Sequence, residues 1–197
     1  MKKVVNFNYN SMLSACNINY YTTITSAIPN NNAKVVIVDS LDKIDKKEEV
    51  GKYSIFDIAN WFLNKNNMTQ KKLQKLCYYA QAWYYALKDK RLMRSDFQAW
   101  VHGPVSPALY ERFRDFGYDT IKMSGIYKCN ICTEDIGFLE DVWETYGDKT
   151  GNALEALSHR ELPWIEARRG YTENERCSVV ISPDMMKKYY KSIYTGE

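Results

Sequence analysis

The spacing of hydrophobic residues changes near residue 53 of this chain. In the part before it, the run Lys34–Asp39 (KVVIVD) places four β-branched residues between polar ends, a pattern that predicts a short strand. Val4–Tyr9 and Tyr20–Thr25 are weaker strand candidates, and Leu41–Val50 is a charged segment that suits a linker or a solvated helix turn. Residues 1–50 are therefore predicted to form an N-terminal extension with some strand character.

From residue 53 onward, apolar residues recur every three or four positions, which is the spacing of amphipathic helices. Ser54 is a predicted N-cap because Asp57 follows three residues later, as in a capping box, and Thr69 can cap the next helix. Further helices are predicted after Ser106 and over Asp135–Tyr146, Gly151–Ser158, Pro163–Arg169 and Pro183–Tyr194. The pattern predicts a mainly α fold, with a compact helical domain over residues 53–195 and a small β-hairpin element.

The helix that follows Thr69 is apolar on nearly every side. One stripe at helical spacing contains Leu73, Leu76, Cys77, Ala80, Trp83, Tyr84 and Leu87. This stripe predicts a central helix. Tyr78, Tyr79 and Tyr85 lie outside the stripe, and one buried helix face does not have room for these additional aromatic side chains. Because tyrosine combines a large apolar area with a polar tip, as interface anchors do, these three residues are candidate partner contacts.

A short extended segment and a turn follow the central helix. Phe97–Val101 (FQAWV) predicts a strand, and His102-Gly103-Pro104 predicts a tight turn, because proline locks φ. Ser106-Pro107 then predicts the start of a helix, with serine as the cap and proline at the first helical position. That helix is predicted to end at Gly117 and to bury Leu109, Phe113 and Phe116. Ile121–Cys132 is predicted to be a hairpin or a loop.

The composition narrows the class of protein without indicating a function. Apolar residues make up 45% of the 197 residues, enough to bury a core, and the 16 tyrosines suit the margin of that core. The net charge of +3 neither requires nor excludes nucleic acid. No stretch approaches the roughly 18 to 20 apolar residues of a transmembrane helix, and no N-terminal run resembles a signal peptide. We expect a cytoplasmic protein with reduced thiols and no membrane contact.

Cys129 and Cys132 form a CxxC spacing without a second such pair. Zinc usually needs four ligands, and the remaining candidates, Cys177, His102 and His159, follow no matching motif. The favoured interpretation is two cysteines without a metal, and no cofactor is predicted. His102 has no partner in a recognisable catalytic order, so a structural or partner-contact role is favoured for it as well.

The segment His159–Trp164 has the composition of an acid–base or metal motif, but its spacing argues against one. Residues two positions apart on a helix, such as His159 and Glu161, do not face each other. The predicted arrangement is one helix that ends at Ser158 or His159 and another that begins at Pro163. Trp164 is then expected to pack inward, and Arg168 to reach a carboxylate.

Two groups of lysines on helices are predicted to form solvated faces. They are Lys71, Lys72 and Lys75, and later Lys187, Lys188 and Lys191. No recognition helix of a helix-turn-helix, and no glycine pattern of a nucleotide-binding loop, is recognisable. Nucleic acid is therefore not the expected partner.

Three segments in this order resemble the Panacea domain family of SocA-like, phage-associated GepA-type proteins. The segments are Leu73–Leu87, Phe97–Tyr110 and Ser158–Arg168, and the resemblance extends over about residues 53–195. It implies an antitoxin of a bacterial or prophage toxin–antitoxin system, without enzymatic activity. The implied partner is a cognate toxin protein that is encoded nearby and is neutralised by direct contact. The extension, which the resemblance does not cover, could adjust the choice of partner.

The candidate partner-binding residues follow from the aromatic pattern and the resemblance together. They are Tyr78, Tyr79, Tyr85, Trp100, His102, Gly103, Pro104, Tyr110 and Trp164. No catalytic residue and no metal ligand is predicted. Two alternative functions stay open: a proteolytic adaptor that delivers a bound partner to a protease, and a prophage-encoded regulator that binds DNA with a steep salt dependence.

Overall fold

The computed structural model describes residues 51–122 and 125–195. Helices account for most of these residues and the β structure is limited to two small antiparallel sheets, which confirms the predicted mainly α fold. The extension over residues 1–50 lies outside the described residues, with its candidate strands Val4–Tyr9, Tyr20–Thr25 and Lys34–Asp39 and the charged segment Leu41–Val50. The division into that extension and a domain over residues 53–195 stays a prediction.

The first helix of the described structure, α1 (Ile55–Lys65), begins as the sequence predicts. The Ser54 hydroxyl accepts a hydrogen bond from the backbone N–H of Phe56, and the Asp57 carboxylate accepts one from the backbone N–H of Ser54. These bonds satisfy amide groups that would otherwise have no partner in the first turn of a helix. The capping box therefore fixes where α1 starts.

Helix α2 (Gln70–Lys88) lies at the centre of the core. Thr69 caps it by accepting a hydrogen bond from the backbone N–H of Lys72, and it ends at Asp89 in a left-handed conformation with φ 56°. Every residue from Leu73 to Tyr84 is buried, which confirms the predicted central position. Within the described ranges, no helix has the length and apolar character that a membrane crossing requires.

Two short antiparallel sheets accompany the helices. Strand β1 (Met68–Thr69) pairs with β4 (Thr120–Ile121), and β2 (Gln98–Trp100) pairs with β3 (Gly103–Val105). The second pair confirms the small β-hairpin element. Among the described residues of the segment Ile121–Cys132, strand structure is limited to Ile121, and the rest is loop.

The remaining helices surround α2. They are α3 (Pro107–Phe113), which continues as a 3-10 turn over Arg114–Phe116, then α4 (Thr133–Tyr146), α5 (Gly151–Ser158), α6 (Leu162–Ala167) and α7 (Pro183–Thr195). Ser106 caps α3 as predicted, and Ser182 caps α7 in the same way, because their hydroxyls accept hydrogen bonds from the backbone N–H groups of Leu109 and Met185. Helix α7 packs along α2 and brings Tyr190 into the core.

Some residues that were expected in the core lie at its margin. Phe116 is exposed, because the chain tightens into a 3-10 turn after Phe113 and leaves the helical spacing. In α4, Ile136 and Trp143 are only half-buried, and Phe138 and Val142 occupy the buried positions. The helical spacing of Asp135–Tyr146 predicts burial of Ile136, Leu139, Trp143 and Tyr146, and Leu139 and Tyr146 are buried as predicted.

Candidate functional site around the β-hairpin

The hairpin of β2 and β3 turns through Val101 and His102. Its register places Trp100 opposite Gly103 and Ala99 opposite Pro104. Gly103 and Pro104 therefore begin the returning strand, and the prediction that they form the turn itself is wrong. A two-residue connection is a common hairpin loop, and it moves the turn one position toward the N-terminus.

Gly103 allows the hairpin to approach the core closely. Its φ of +90° is a conformation that residues with a Cβ atom rarely adopt. A Cβ atom built on Gly103 would lie 2.8 Å from Lys75 Cε and 2.8 Å from Ser158 Oγ. Both side chains are buried, so a larger residue would push the hairpin away from α2 and α5.

Aromatic side chains of two other elements, Tyr110 and Trp164, contact Trp100 of this hairpin. Trp100 of β2 packs edge to face on Tyr110 of α3, with ring centroids 5.0 Å apart. Trp164 of α6 donates a hydrogen bond from Nε1 to the Trp100 carbonyl at 3.0 Å. All three side chains are half-buried, and His102 at the turn is exposed. We call Trp100, His102, Tyr110 and Trp164 the hairpin surface.

His102 is the most accessible member of the hairpin surface. Its side chain is 69% exposed, and its Nδ1 lies 2.9 Å from Glu155 Oε1 of α5. Lys71 of α2 pairs with the same carboxylate at 2.6 Å. Partial burial of Glu155 opposes its ionisation, but the hydrogen bonds from Lys71 and His102 outweigh it and hold the pKa of Glu155 below its ordinary value.

Lys75 supports the hairpin from the core side, a role that was not predicted from the sequence. Its Nζ donates a hydrogen bond to the Pro104 carbonyl at 3.0 Å, and the residue is 1% exposed. Burial lowers the pKa of Lys75 to about 7, although the nearby Glu155 carboxylate acts in the opposite direction. The prediction that Lys75 belongs to a solvated lysine face is therefore wrong. The signal was available, because Lys75 lies within the helix that was predicted to be apolar all round.

Arg168 holds the other side of the hairpin. Its guanidinium donates a hydrogen bond to the Ala99 carbonyl of β2 at 2.9 Å. It also donates to three carbonyls of the loop after α6, those of Thr172 and Glu175 at 2.8 Å and Glu173 at 3.2 Å. The expectation that Arg168 reaches a carboxylate is wrong. Backbone carbonyls are its partners because Arg168 follows the last residue of α6 and its side chain turns back onto the hairpin. Its Cζ atom lies 5.1 Å from the centroid of the Trp164 ring.

His159 and Glu161 serve different parts of the fold. The His159 ring stacks on Trp164 with centroids 4.0 Å apart, and burial lowers the pKa of His159. Glu161 lies in the core, where its carboxylate accepts a hydrogen bond from Tyr190 at 2.7 Å and longer ones from Tyr79. Burial raises the pKa of Glu161 to about 7. The two side chains thus have separate partners in the described structure.

The tyrosines of α2 do not contribute to the hairpin surface. Tyr78 and Tyr79 are fully buried, so the expectation that packing leaves these two side chains available to a partner is wrong. They are buried because α4 and α7 cover the off-stripe side of α2: Tyr79 stacks on Tyr146 at 4.1 Å and Tyr78 contacts Tyr190. Tyr85 is half-buried near the end of α2.

Cys132 lies in a polar cluster at the start of α4. The buried carboxylate of Asp135 accepts hydrogen bonds from Tyr53 at 2.6 Å, Lys52 at 2.7 Å and Tyr84 at 3.1 Å, and Cys132 Sγ lies 3.3 Å from it. Burial opposes ionisation, but these hydrogen bonds outweigh it and lower the pKa of Asp135. In the part of the chain that the structure describes, no group of three or more metal-ligating side chains comes together.

A known family model matches the part of the chain that carries the hairpin surface. The family model for the antitoxin SocA-like Panacea domain matches residues 73–165, slightly less than half of the chain. No curated protein and no solved structure matches. The family supports an antitoxin role in general. The match begins at the first of the three sequence motifs and ends inside the third, which confirms the resemblance: residues 73–165 match the model of the SocA-like Panacea domain.

Proposed function

We propose that this protein is an antitoxin that neutralises a cognate toxin, encoded nearby, by direct contact through the hairpin surface. The observation that carries the proposal is a set of three half-buried aromatic residues beside the exposed His102: the Trp100 ring packs on Tyr110, and Trp164 bonds to the Trp100 carbonyl. Aromatic residues that are held by neighbours yet partly accessible are the residues that most often anchor protein interfaces.

Hydrogen bonds from buried side chains hold the hairpin surface in position, which favours a role in binding a partner. Lys75 and Arg168, from α2 and α6, each bond to a backbone carbonyl of the hairpin. A surface that is already in position loses little conformational freedom when a partner docks, and this preserves binding free energy. The hairpin surface is thus suited to a preformed contact.

We also infer that the protein is not an enzyme. Among the described residues near the hairpin, Lys75 and Ser158 are of types that can act together in catalysis, and both lie close to Gly103. Both are buried, and the Ser158 hydroxyl donates a hydrogen bond to the Glu155 carbonyl of its own helix. Such a pair offers no room for a substrate and fits a packing role.

Co-expression with each neighbouring toxic gene tests the function. We expect the wild-type protein to restore growth against one such gene, and Trp100→Ala and Tyr110→Ala to reduce that rescue while the purified variants keep a cooperative thermal transition. Phe56→Ala and Ile126→Ala remove exposed apolar side chains outside the hairpin surface and are the matched controls, which should rescue fully. Full rescue by both hairpin variants would contradict the proposed surface, and failure of the wild type against every neighbouring gene would contradict the antitoxin function.

The fate of the toxin separates direct neutralisation from delivery to a protease. We expect the toxin to persist at an unchanged level while growth is restored, and to co-purify with the antitoxin in a complex that Trp100→Ala weakens. A toxin level that falls only when the antitoxin and an ATP-dependent protease are both present would favour the adaptor alternative.

Full rescue by the double variant His102→Ala, His159→Ala would argue further against histidine-based catalysis.

A further inference from the structure

The β-hairpin carries a third extended segment beside β2. Val179–Ile181, here called the edge segment, runs antiparallel to β2, with Val180 opposite Gln98. The Ala99 N–H donates to the carbonyl of its first residue at 2.9 Å, and the N–H of its last residue donates to the Phe97 carbonyl at 2.8 Å. The small sheet therefore has the order β3, β2, edge segment.

The β3 edge of this sheet is occupied by side chains of α2. Pro104, in the middle of β3, has no N–H, and its carbonyl accepts the hydrogen bond from Lys75 at 3.0 Å. Directly after β3, the Gln74 side chain accepts a hydrogen bond from the backbone N–H of Ser106 at 2.8 Å and donates one to its carbonyl at 3.1 Å. A further strand cannot form a ladder on this side. Strand addition to the sheet is therefore confined to the edge segment.

The edge segment presents unpaired backbone groups on its outer side. Successive residues of an antiparallel strand direct their backbone groups alternately toward and away from the neighbouring strand. Because Val179 and Ile181 bond to β2, the N–H and C=O of Val180 point away from the sheet, and neither has a hydrogen-bond partner within residues 51–122 and 125–195. The side chains of Val179 and Val180 are 40% and 45% exposed. An apolar edge of this kind is a template for pairing with another strand.

The sequence around Val180 is suited to pairing with a second copy of itself. In an antiparallel pair with a two-fold axis at Val180, each residue before the axis lies opposite the residue that follows it by the same number of positions. Ser178–Ser182 (SVVIS) then aligns serine with serine and β-branched residues with β-branched residues. The exposed Arg176, four positions before the axis, lies beside the start of the second copy's α7, where the exposed Asp184 provides the opposite charge. Charge and side-chain size are therefore complementary along this edge.

We propose that the edge segment is a self-association site, at which two copies of this chain pair antiparallel across a two-fold axis at Val180. The N–H and C=O of Val180 exchange two hydrogen bonds with those of the second copy, and the two small sheets join into one. Because the β3 edge is closed to further strands, the assembly ends at a dimer and does not grow into a fibre. The pairing surface is short, so we expect reversible association in the micromolar range or weaker. The dimer does not depend on the proposed antitoxin function, and it carries two hairpin surfaces.

Residue-resolved amide hydrogen exchange of the full-length chain, measured over a series of protein concentrations, tests the pairing. The Ile181 N–H is bonded to Phe97 within one chain, whereas the Val180 N–H gains a partner only in the dimer. We expect Ile181 to be protected at every concentration, and protection of Val180 to rise in step with the dimer fraction from sedimentation velocity. Val180→Pro removes the outward donor and leaves the bonds to β2 in place, so it should weaken dimerisation by about tenfold or more.

Charge reversal tests whether the partner is a second copy in this register. Arg176→Asp alone and Asp184→Arg alone each place like charges together at both ends of the pairing, so each variant should dimerise about tenfold more weakly than the wild type. An equal mixture of the two variants restores opposite charges at both ends and should dimerise as the wild type does. Arg112→Asp, a reversal at an exposed position of α3, is the matched control and should leave dimerisation unchanged. A cooperative thermal transition of each variant checks that it is folded.

Three results of these experiments would overturn the proposal: a wild type that stays monomeric at the concentrations used for NMR, a dimer that Val180→Pro leaves unchanged, or a mixture of charge variants that does not recover. Protection of Val180 that is independent of concentration would assign the edge to another segment of the same chain. Protection that arises only when a toxin is added would assign the edge to that partner. Both of these results also contradict self-association.

Discussion

The amine of Lys75, in the middle of the central helix, donates a hydrogen bond to the backbone carbonyl of Pro104 at 3.0 Å. Pro104 lies in the returning strand of the hairpin, opposite Ala99. One buried side chain thus joins α2 to the hairpin that presents Trp100 and His102. Burial lowers the pKa of Lys75 to about 7, so the strength of this support is coupled to pH.

Lys75→Met tests that coupling, because methionine keeps the length of the side chain and removes the amine. In the unfolded chain Lys75 titrates near 10.5 and in the folded protein at about 7, so between these values the unfolded state binds more protons. The wild type therefore gains stability relative to the variant as pH rises above about 7. In the variant the Pro104 carbonyl loses its lysine partner at every pH. We expect the variant to be less stable than the wild type by about 1–3 kcal/mol at pH 9, and by little at pH 6, where the cost of burying a charged amine already lowers the stability of the wild type.

Urea unfolding at pH 6 and at pH 9 measures this difference. Lys188→Met, at an exposed position of α7, is the matched control and should change the free energy of unfolding by less than about 0.5 kcal/mol at either pH. An equal loss of stability at both pH values in Lys75→Met would contradict the lowered pKa of Lys75.

Gly103→Ala tests the close approach of the hairpin to the core. We expect a loss of about 2–4 kcal/mol, because the φ of +90° disfavours alanine and the added Cβ meets Lys75 and Ser158. Gly117→Ala is the matched control: Gly117 also has positive φ, but its surroundings are open, so we expect a loss of about 1 kcal/mol. Thermal denaturation measures both, and equal losses would mean that steric contact contributes nothing.

Glu161→Gln tests the buried carboxyl group between α6, α2 and α7. The pKa of Glu161 is raised from 4.5 to about 7, so the folded state holds the proton more tightly and the wild type loses stability as pH rises from about 4.5 to 7. Glutamine is neutral throughout and its oxygen still accepts the hydrogen bond from Tyr190. We expect the variant to be more stable than the wild type by about 1–3 kcal/mol at pH 8 and nearly equal at pH 5. Chemical denaturation measures both, and the exposed Glu173→Gln should show no such gain at pH 8.

Arg168→Lys tests whether a forked donor is needed between the hairpin and the loop after α6. A lysine amine cannot reach the Ala99 carbonyl and the loop carbonyls together, so we expect a loss of about 2–4 kcal/mol. The loop should also be cut faster by a glutamate-specific protease at Glu173 and Glu175. Arg169→Lys, an exposed neighbour that pairs with Glu166, is the control. Unchanged cleavage in Arg168→Lys would show that charge alone holds the loop.

The helix starts were predictable because the interactions that define them are local. Ser54, Thr69 and Ser106 each bond to an amide two or three residues ahead, so the cap and its partner are read from one short window of sequence. The central position of α2 followed from the apolar content of a single segment in the same way. The small hairpin was predicted too, but its turn was placed one residue too late, since loop register depends on pairing across strands.

The burial of the α2 tyrosines could not be predicted from the local spacing of apolar residues. Tyr78 and Tyr79 lie off the main stripe, yet they are buried because Tyr146 and Tyr190, from helices far along the chain, cover that side. A helix with neighbours on several sides has no solvent face, and the number of those neighbours is not encoded within the helix itself. Tyr85, beyond the covered stretch, stays half-buried.

The order and spacing of residues were therefore enough to identify a helical domain, its central helix, its caps and its resemblance to the Panacea domain. The partners of individual side chains depended on the assembled fold: Trp164 meets Trp100, Arg168 meets Ala99, and a lysine lies where a solvated face was expected. The reason is that capping and helical periodicity act over a few residues, whereas burial and pKa arise from contacts between segments that are distant in sequence.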